Sequence, residues 1–322
     1  MRHLTDADVS GVVGLGGTLL GSSNRCNPRK FHPSTGANHH DHVSSLLPPD
    51  APIDVTDRCL ATLRAHRVDT LVVVGGDGTM TIAEDFAKQG VRVIGVPKTI
   101  DNDLPCTDLT FGFLTAVATA TDALDRVHTT GKSHHRAMVV ETMGRNAGWL
   151  ALFAGVASGA DVILLPEIPF SLESVCATVA ERQRSRKGYS ILAVAEGAKP
   201  VGGMQTVARF DPASPDPVRL GGIGALLGKQ IEDRTGVETR ITVLGHIQRG
   251  GAPIAADRVL ATQFGAHAVQ LLEAGAASRL VVWREGRVSD VALADAAGKQ
   301  RLVPLDDHLI AAAREIGTSF GD

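Results

Sequence analysis

The sequence predicts an α/β protein made of two doubly wound, Rossmann-like lobes with mainly parallel sheets, and three observations carry this expectation. Short β-branched runs alternate with helix-length stretches, each run ends in glycine and charged residues, and 35 glycines accompany only 4% aromatic residues in 322 positions. Open parallel sheets bind ligands at the carboxyl ends of their strands, where helix N-termini begin, so charges and glycines gather at strand ends.

Taken in order, residues 70–74 (TLVVV) run into Gly75-Gly76-Asp77-Gly78-Thr79 and then a helix through Lys88. Residues 92–96 run into Pro97-Lys98-Thr99-Ile100-Asp101-Asn102-Asp103, and helical spacing follows over 111–127. Residues 136–142 end in Met143-Gly144-Arg145, residues 161–165 in Pro166-Glu167, and residues 190–195 in Glu196-Gly197. Residues 239–244 end in Gly245-His246-Ile247-Gln248-Arg249-Gly250-Gly251, ahead of a helix over about 255–274. The Gly/Pro/Asp-rich stretch 197–220 reads as a long surface insertion. Residues 26–52 read as irregular, with His32, His39, His40 and His42 as solvated loop histidines rather than metal ligands.

Composition excludes several function classes. Lys plus Arg total 32 against 35 Asp plus Glu, a net charge of −3, so no extended polyanion surface and no nucleic-acid partner is expected. The four cysteines, Cys26, Cys59, Cys106 and Cys176, form no C-x-x-C pair, which fits a reduced, cytoplasmic chain. Asp6 and Asp8 precede any apolar run and no 18-residue apolar stretch occurs, so neither a signal peptide nor a membrane span is expected.

The strand-end motifs carry the chemistry. Gly75-Gly76-Asp77-Gly78-Thr79 brings backbone N–H groups against phosphate oxygens and offers the Asp77 carboxylate to Mg2+; a capped Gly-rich turn is the plain alternative, and the pattern also resembles the phosphate loop of NAD kinases and diacylglycerol-type lipid kinases. Asp101 and Asp103 alternate on an extended loop two residues past Thr99, one suited to general base and the other to a metal, with a solvent-exposed Asx turn as the alternative. Arg136, Arg145, Arg240, Arg249 and His246 fall at strand starts or ends; converging on one face the arginines form a phosphate clamp, and singly each is a surface ion pair.

Residues 97–103, Met143-Gly144-Arg145-Asn146-Ala147-Gly148, and 240–251 followed by Asp257-Arg258, in this order, resemble the 6-phosphofructokinase family, in a subgroup that uses ATP yet carries a lysine also found in pyrophosphate users. The resemblance implies phosphoryl transfer from ATP to the 1-hydroxyl of fructose 6-phosphate, with Mg2+ as cofactor. By family role, Asp101 is the base, Thr99 orients the sugar end, Asp103 assists at the metal, and Asp77 is the metal ligand. Arg145 stabilises the transferring phosphoryl group, Met143 and Gly144 pack on the sugar, and Glu196 accepts its hydroxyls. Arg136 and Arg240 reach the 6-phosphate of a neighbouring subunit, whereas His246 and Arg249 serve their own, which implies a homo-oligomer, dimer or tetramer. Asn24, Arg25, Gly76, Asp77, Gly78 and Thr79 line the nucleotide side.

Donor choice rests on Gly78 and Lys98. Pyrophosphate users carry an aspartate where Gly78 stands, because a carboxylate there repels and crowds the nucleotide's α-phosphate; Lys98 is shared with pyrophosphate users, and the steric term favours ATP. The family's opening Gly-Gly-Asp-x-Pro-Gly-x-Asn loop is not found before Gly16, an expected loss of phosphate donors that exposes apolar helix faces, through a mis-assigned start or a true truncation. The family arginine next to Gly21-Ser22-Ser23 is replaced by Asn24, with Arg25 one place later either taking over the role or leaving it vacant. The alternatives are therefore a catalytically impaired sugar-phosphate-binding or regulatory subunit and a pyrophosphate-dependent enzyme. The expected division is a nucleotide lobe over 1–112 plus about 250–295 and a fructose 6-phosphate lobe over about 113–249 plus 296–322.

Overall fold

The computed structural model describes residues 2–23, 27–31, 52–210 and 217–322. The histidines at 32, 39, 40 and 42 and the pair Asn24 and Arg25 lie outside these. In chain order the elements are α1 (Asp6–Val9), α2 (Thr56–Ala65), β1 (Thr70–Gly75), α3 (Asp77–Lys88), β2 (Arg92–Thr99), β3 (Phe111–Gly112), α4 (Phe113–His134), β4 (Ala137–Thr142), α5 (Trp149–Ala157) and β5 (Val162–Leu164). There follow α6 (Leu172–Arg184), β6 (Ser190–Ala195), β7 (Val207–Phe210), β8 (Val218–Leu220), α7 (Ile223–Thr235), β9 (Thr239–Val243), α8 (Ala255–Glu273), β10 (Arg279–Arg284), β11 (Arg287–Ala292), α9 (Leu293–Ala296) and α10 (His308–Glu315).

Two sheets result. The first runs β1-β2-β10-β11 with β3 on β2; all its pairs are parallel except β10 with β11. The second runs β5-β6-β4-β9 and is parallel throughout. Strand side chains alternate between faces, so a strand buried on both sides feeds two cores. In β2 and β10, Val93, Leu280 and Val282 enter a core with α2 and α3, whereas Ile94, Val96 and Val281 meet Leu260, Phe264 and Ala268 of α8. In β4 and β6, Val139, Leu192 and Val194 face α6 and α7, while Val140, Ile191 and Ala193 face α4, α5 and α10. Helices on both faces of both sheets make the doubly wound architecture that the alternating runs imply.

The structure departs from the expected elements in three places. Phe111 and Gly112 do not start the helix: they pair with Lys98 and Thr99, and the left-handed Gly112 (φ 98°) turns the chain into α4, which then continues to His134. That pairing also extends β2 through Pro97 and Lys98 to Thr99, where the sequence suggests loop. Thirdly, 197–220 is more than a surface insertion, because it contains the antiparallel β7–β8 hairpin and begins with Ala198 buried in the second sheet's core.

Candidate active site

The loop after β2 carries the strongest chemistry. Thr99 Oγ1 accepts the Asp101 N–H at 3.1 Å, which bends the chain immediately after the strand. Asn102 then adopts the left-handed region (φ 51°) and pins the loop: its Oδ1 accepts the Thr110 N–H at 3.0 Å and its Nδ2 donates to the Asp108 carbonyl at 3.2 Å. Fixing Asn102 in this way directs Asp101 and Asp103, on either side of it, into the protein; they are 7% and 5% exposed.

Burial makes these carboxylates reluctant to ionise. Desolvation raises Asp101 above the ordinary carboxylate range, with Asp77 adding to the rise and Arg249, Arg145 and Lys98 opposing it. Asp101 Oδ1 is shut off from solvent and has no hydrogen-bond partner among the described residues. Asp103 is pushed up to about 7, first by desolvation and then by Asp101 and Asp77. Lys98 is pushed below its ordinary range by desolvation and by Arg249. Buried acids beside incompletely compensating cations are groups prepared to exchange protons or meet a charged ligand.

Asp77 comes from the turn after β1, at the first position of α3. Its Oδ2 accepts the Gln300 side-chain N–H at 2.9 Å. Gly76 lies against the Thr99 side chain, 3.3 Å from where a Cβ would stand, so the β1 and β2 loops are in contact. Gly78 is exposed, and a Cβ there would meet nothing within 4 Å. Gly78 and Thr79 thus lie in the first turn of α3, at a helix N-terminus whose N–H groups suit an anion.

The second sheet contributes the loop after β4. Gly144 (φ 135°) and Arg145 (φ 52°) both take positive φ, a costly conformation for arginine that the surroundings enforce. The Arg145 N–H donates to Glu196 Oε1 at 3.0 Å, and the Arg145 carbonyl passes so close to Gly197 that a Cβ there would stand 1.9 Å from its oxygen. Glu196 and Gly197, at the end of β6, therefore mould this loop. Glu196 is pushed up to about 7 by burial, with Asp101 and Glu141 adding to it. Met143 is half-buried against the core beneath the loop. His246 and Arg249 follow β9 on a single 3-10 turn, Gly245–Arg249, and both are exposed.

Lys98, Thr99, Asp101, Asp103, Asp77, Arg145, Glu196 and Arg249 thus act on one electrostatic neighbourhood. Arg136 and Arg240 do not. Arg136 precedes β4 and Arg240 is the second residue of β9, at the amino ends of strands whose carboxyl ends carry Arg145 and Arg249. Both pair with Glu238, Arg136 at 2.8 Å and Arg240 more closely. The four arginines therefore do not converge within one chain, because parallel strands put their starts and ends on opposite edges of the sheet.

Three contributors carry no motif signal. Glu167 Oε1 accepts N–H groups from Gly148 and Val303, each at 2.9 Å, and Gln300 and Arg301 reach the acidic loops from a segment far along the chain. Only the position of Glu167 after an apolar run hints at a strand end.

A family model described as phosphofructokinase matches residues 1–272. The ATP-dependent 6-phosphofructokinase 2 of Clostridium perfringens is 46% identical over 315 residues, 98% of this chain and 83% of that protein. The pyrophosphate–fructose 6-phosphate 1-phosphotransferase of Amycolatopsis methanolica is 46% identical over 303 residues, 94% of this chain and 82% of that protein. Among solved structures, Pichia pastoris phosphofructokinase in the T-state has TM-score 0.71 at 28% identity, covering 91% of this chain and 31% of that one.

Proposed function

Since the chain belongs to the phosphofructokinase family, we propose that it transfers the γ-phosphoryl group of ATP to the 1-hydroxyl of D-fructose 6-phosphate, giving fructose 1,6-bisphosphate as a step of glycolysis. One observation carries this reading: Asp101 is buried with an unpartnered carboxylate oxygen, among Arg249, Arg145 and Lys98 and beside Asp77.

Asp101 takes the hydroxyl proton as the sugar oxygen attacks the γ-phosphorus, and the bond to the ADP oxygen breaks. Thr99 holds the backbone turn that aims Asp101, and Arg145 spreads the charge developing on the transferring group. Met143 and Gly144 border the sugar, Glu196 receives its hydroxyls, and His246 with Arg249 faces its phosphate. Gly76, Gly78 and Thr79 face the donor phosphates.

Asp77 and Asp103 fit a shared divalent cation, since Asp77 adds to desolvation in disfavouring ionisation of Asp103. No group of three or more His, Cys, Asp or Glu forms a metal cage among the described residues. Such a donor set suits Mg2+ held by one or two carboxylates together with phosphate oxygens, Asp77 first and Asp103 assisting. Mg2+ held there would offset the charge of the donor phosphates.

ATP is the donor on this reading: the relatives are named for both donors at the same identity, and the lack of a carboxylate at Gly78, which would crowd and repel the nucleotide, favours ATP. Lys98 remains compatible with pyrophosphate, which makes pyrophosphate the control. The acceptor's 6-phosphate is completed by Arg136 and Arg240 of a neighbouring subunit in a homo-oligomer, which accounts for their distance from their own chain's Asp101. The first sheet with residues 1–112 and about 250–295 forms the nucleotide lobe, and about 113–249 with 296–322 the sugar-phosphate lobe. Three described cysteines, Cys59, Cys106 and Cys176, are free thiols, in keeping with the cytoplasm, and no helix among the described residues is long and apolar enough to cross a membrane.

The test is a coupled assay of the purified chain with fructose 6-phosphate and Mg2+, run with ATP and with pyrophosphate. Turnover with ATP supports the reading, turnover with pyrophosphate alone replaces the donor, and binding of fructose 6-phosphate without turnover points to a regulatory subunit.

A further inference from the structure

We propose that Gln300 and Arg301 are positioning residues of the phosphoryl-transfer site, forming a strap that locks Asp77 and the Asp101–Asp103 loop into one unit and ties that unit to the second sheet. The proposal rests on the functional reading above.

The strap follows α9 and lies at the junction of the two sheets. Gln300 donates to Asp77 Oδ2 at 2.9 Å and thereby fixes the orientation of that carboxylate. Arg301 makes three contacts with the acidic loop. Its backbone N–H donates to the Asp103 carbonyl at 2.7 Å, its Nε to the Asn102 carbonyl at 3.2 Å, and a terminal guanidinium nitrogen to the Asp108 carbonyl at 3.1 Å. Asn102 already sits in the left-handed region, so these bonds hold a conformation that the free loop disfavours.

The other side of the strap grips the second sheet. The Arg301 guanidinium lies over the Trp149 ring, 4.4 Å from its centroid, and the indole N–H donates to the Arg301 carbonyl at 3.0 Å. Trp149 opens α5 directly after the loop that carries Arg145. Two residues on, the Val303 N–H shares Glu167 Oε1 with the Gly148 N–H, which fastens the strap to the base of that loop. The distance between the base Asp101 and the cation Arg145 is therefore set by a segment that need not touch either reactant.

Arginine suits this place for a stated reason. Its planar fork reaches two carbonyls at once while its face stacks on an aromatic ring, and a lysine ammonium cannot do both. Burial pushes Arg301 below its ordinary range, whereas Asp108, Asp307 and Asp103 hold the charge in place.

The test compares wild type with Arg301→Met, Arg301→Lys and Gln300→Leu, each at equal folded concentration by near-UV circular dichroism. Two readouts are taken: steady-state kinetics with ATP, fructose 6-phosphate and Mg2+, and hydrogen–deuterium exchange of the peptides covering 99–110 and 190–195. The expected result for Arg301→Met is a fall in kcat of about 10- to 100-fold with KM for fructose 6-phosphate within about threefold, the scale for losing groups that orient a reacting set. Exchange quickens in 99–110 and not in 190–195. Arg301→Lys recovers part of kcat, and Gln300→Leu raises the Mg2+ concentration needed for half-maximal rate. Unchanged exchange in 99–110 together with a kcat within twofold of wild type in all three variants overturns the proposal. Should wild type itself show no turnover, the functional reading fails, and the exchange result alone still decides whether the strap holds the loop.

Discussion

The two ends of the second sheet are built on opposite principles. At its carboxyl end the chain buries acids, forces Gly144 and Arg145 into positive φ, and leaves Glu196 and the adjoining Asp103 raised to about 7. At its amino end the half-buried Arg136 and the exposed Arg240 are paired with a single half-buried acid, Glu238, whose carboxyl the two arginines hold below its ordinary range. One end is a strained cluster of buried acids; the other is a pair of arginines matched to one carboxylate. Under the proposed function the difference has a reason: burial shifts a carboxyl toward the pH at which it exchanges protons, whereas a phosphate clamp needs only accessible cations, which a second subunit can supply.

Asp101→Asn strikes the acidic end and has the largest expected effect. It keeps the shape of the loop and removes the proton acceptor, so kcat falls by about 10²- to 10⁴-fold with KM for fructose 6-phosphate little changed, as read by initial rates. A kcat near wild type refutes the base assignment. Next in size, Gly78→Asp places a carboxylate in space that the protein leaves empty, so the fold is undisturbed and like-charge repulsion falls on the nucleotide. The expected loss is about 10²-fold or more in kcat/KM for ATP, and an unaltered ATP rate removes the steric account of donor choice.

The cationic end is sharpened by Arg240→Ala, which raises KM for fructose 6-phosphate about 10- to 100-fold while kcat changes less, the scale of a lost charge-assisted phosphate contact. Mixing Arg240→Ala chains with Asp101→Asn chains and allowing subunits to exchange restores activity, because a hybrid assembles one site with both residues intact. Absence of any recovery in demonstrably mixed oligomers places the two residues in the same chain's site or in none.

The smallest effect is thermodynamic. Asp103 and Glu196, raised to about 7 in the folded chain against 3.8 and 4.5 for ordinary Asp and Glu, bind more protons folded than unfolded between those values. Folding stability therefore falls as pH rises through this window and levels above it. A Tm decline of a few degrees from pH 5 to pH 8 is expected, less steep in Asp103→Asn. An equal slope in wild type and variant contradicts the buried, uncompensated state of Asp103.

Much of the fold was legible because parallel α/β order is written in local patterns: the run at 190–195 is β6 itself, and the turn motifs after β1, β2, β4, β6 and β9 all lie at strand carboxyl ends. The misread pieces depended on distant partners. Phe111 and Gly112 look helical by spacing and become strand through pairing with Lys98 and Thr99, and the β7–β8 hairpin is invisible in a Gly/Pro-rich stretch. The family resemblance likewise stood in contiguous motifs, and the matched relatives support the family.

The sequence by itself determined the alternation of strands and helices, the residue types at each strand end and the near-neutral charge, since each follows from neighbours a few positions apart. The tertiary structure alone decided which of those residues share a dielectric: that Asp101 and Asp103 are desolvated together, that Arg136 and Arg240 face away from them, and that Gln300 and Arg301 hold the acidic loops from some 200 residues along the chain. Desolvation and convergence are properties of packing, and no contiguous stretch of sequence encodes them.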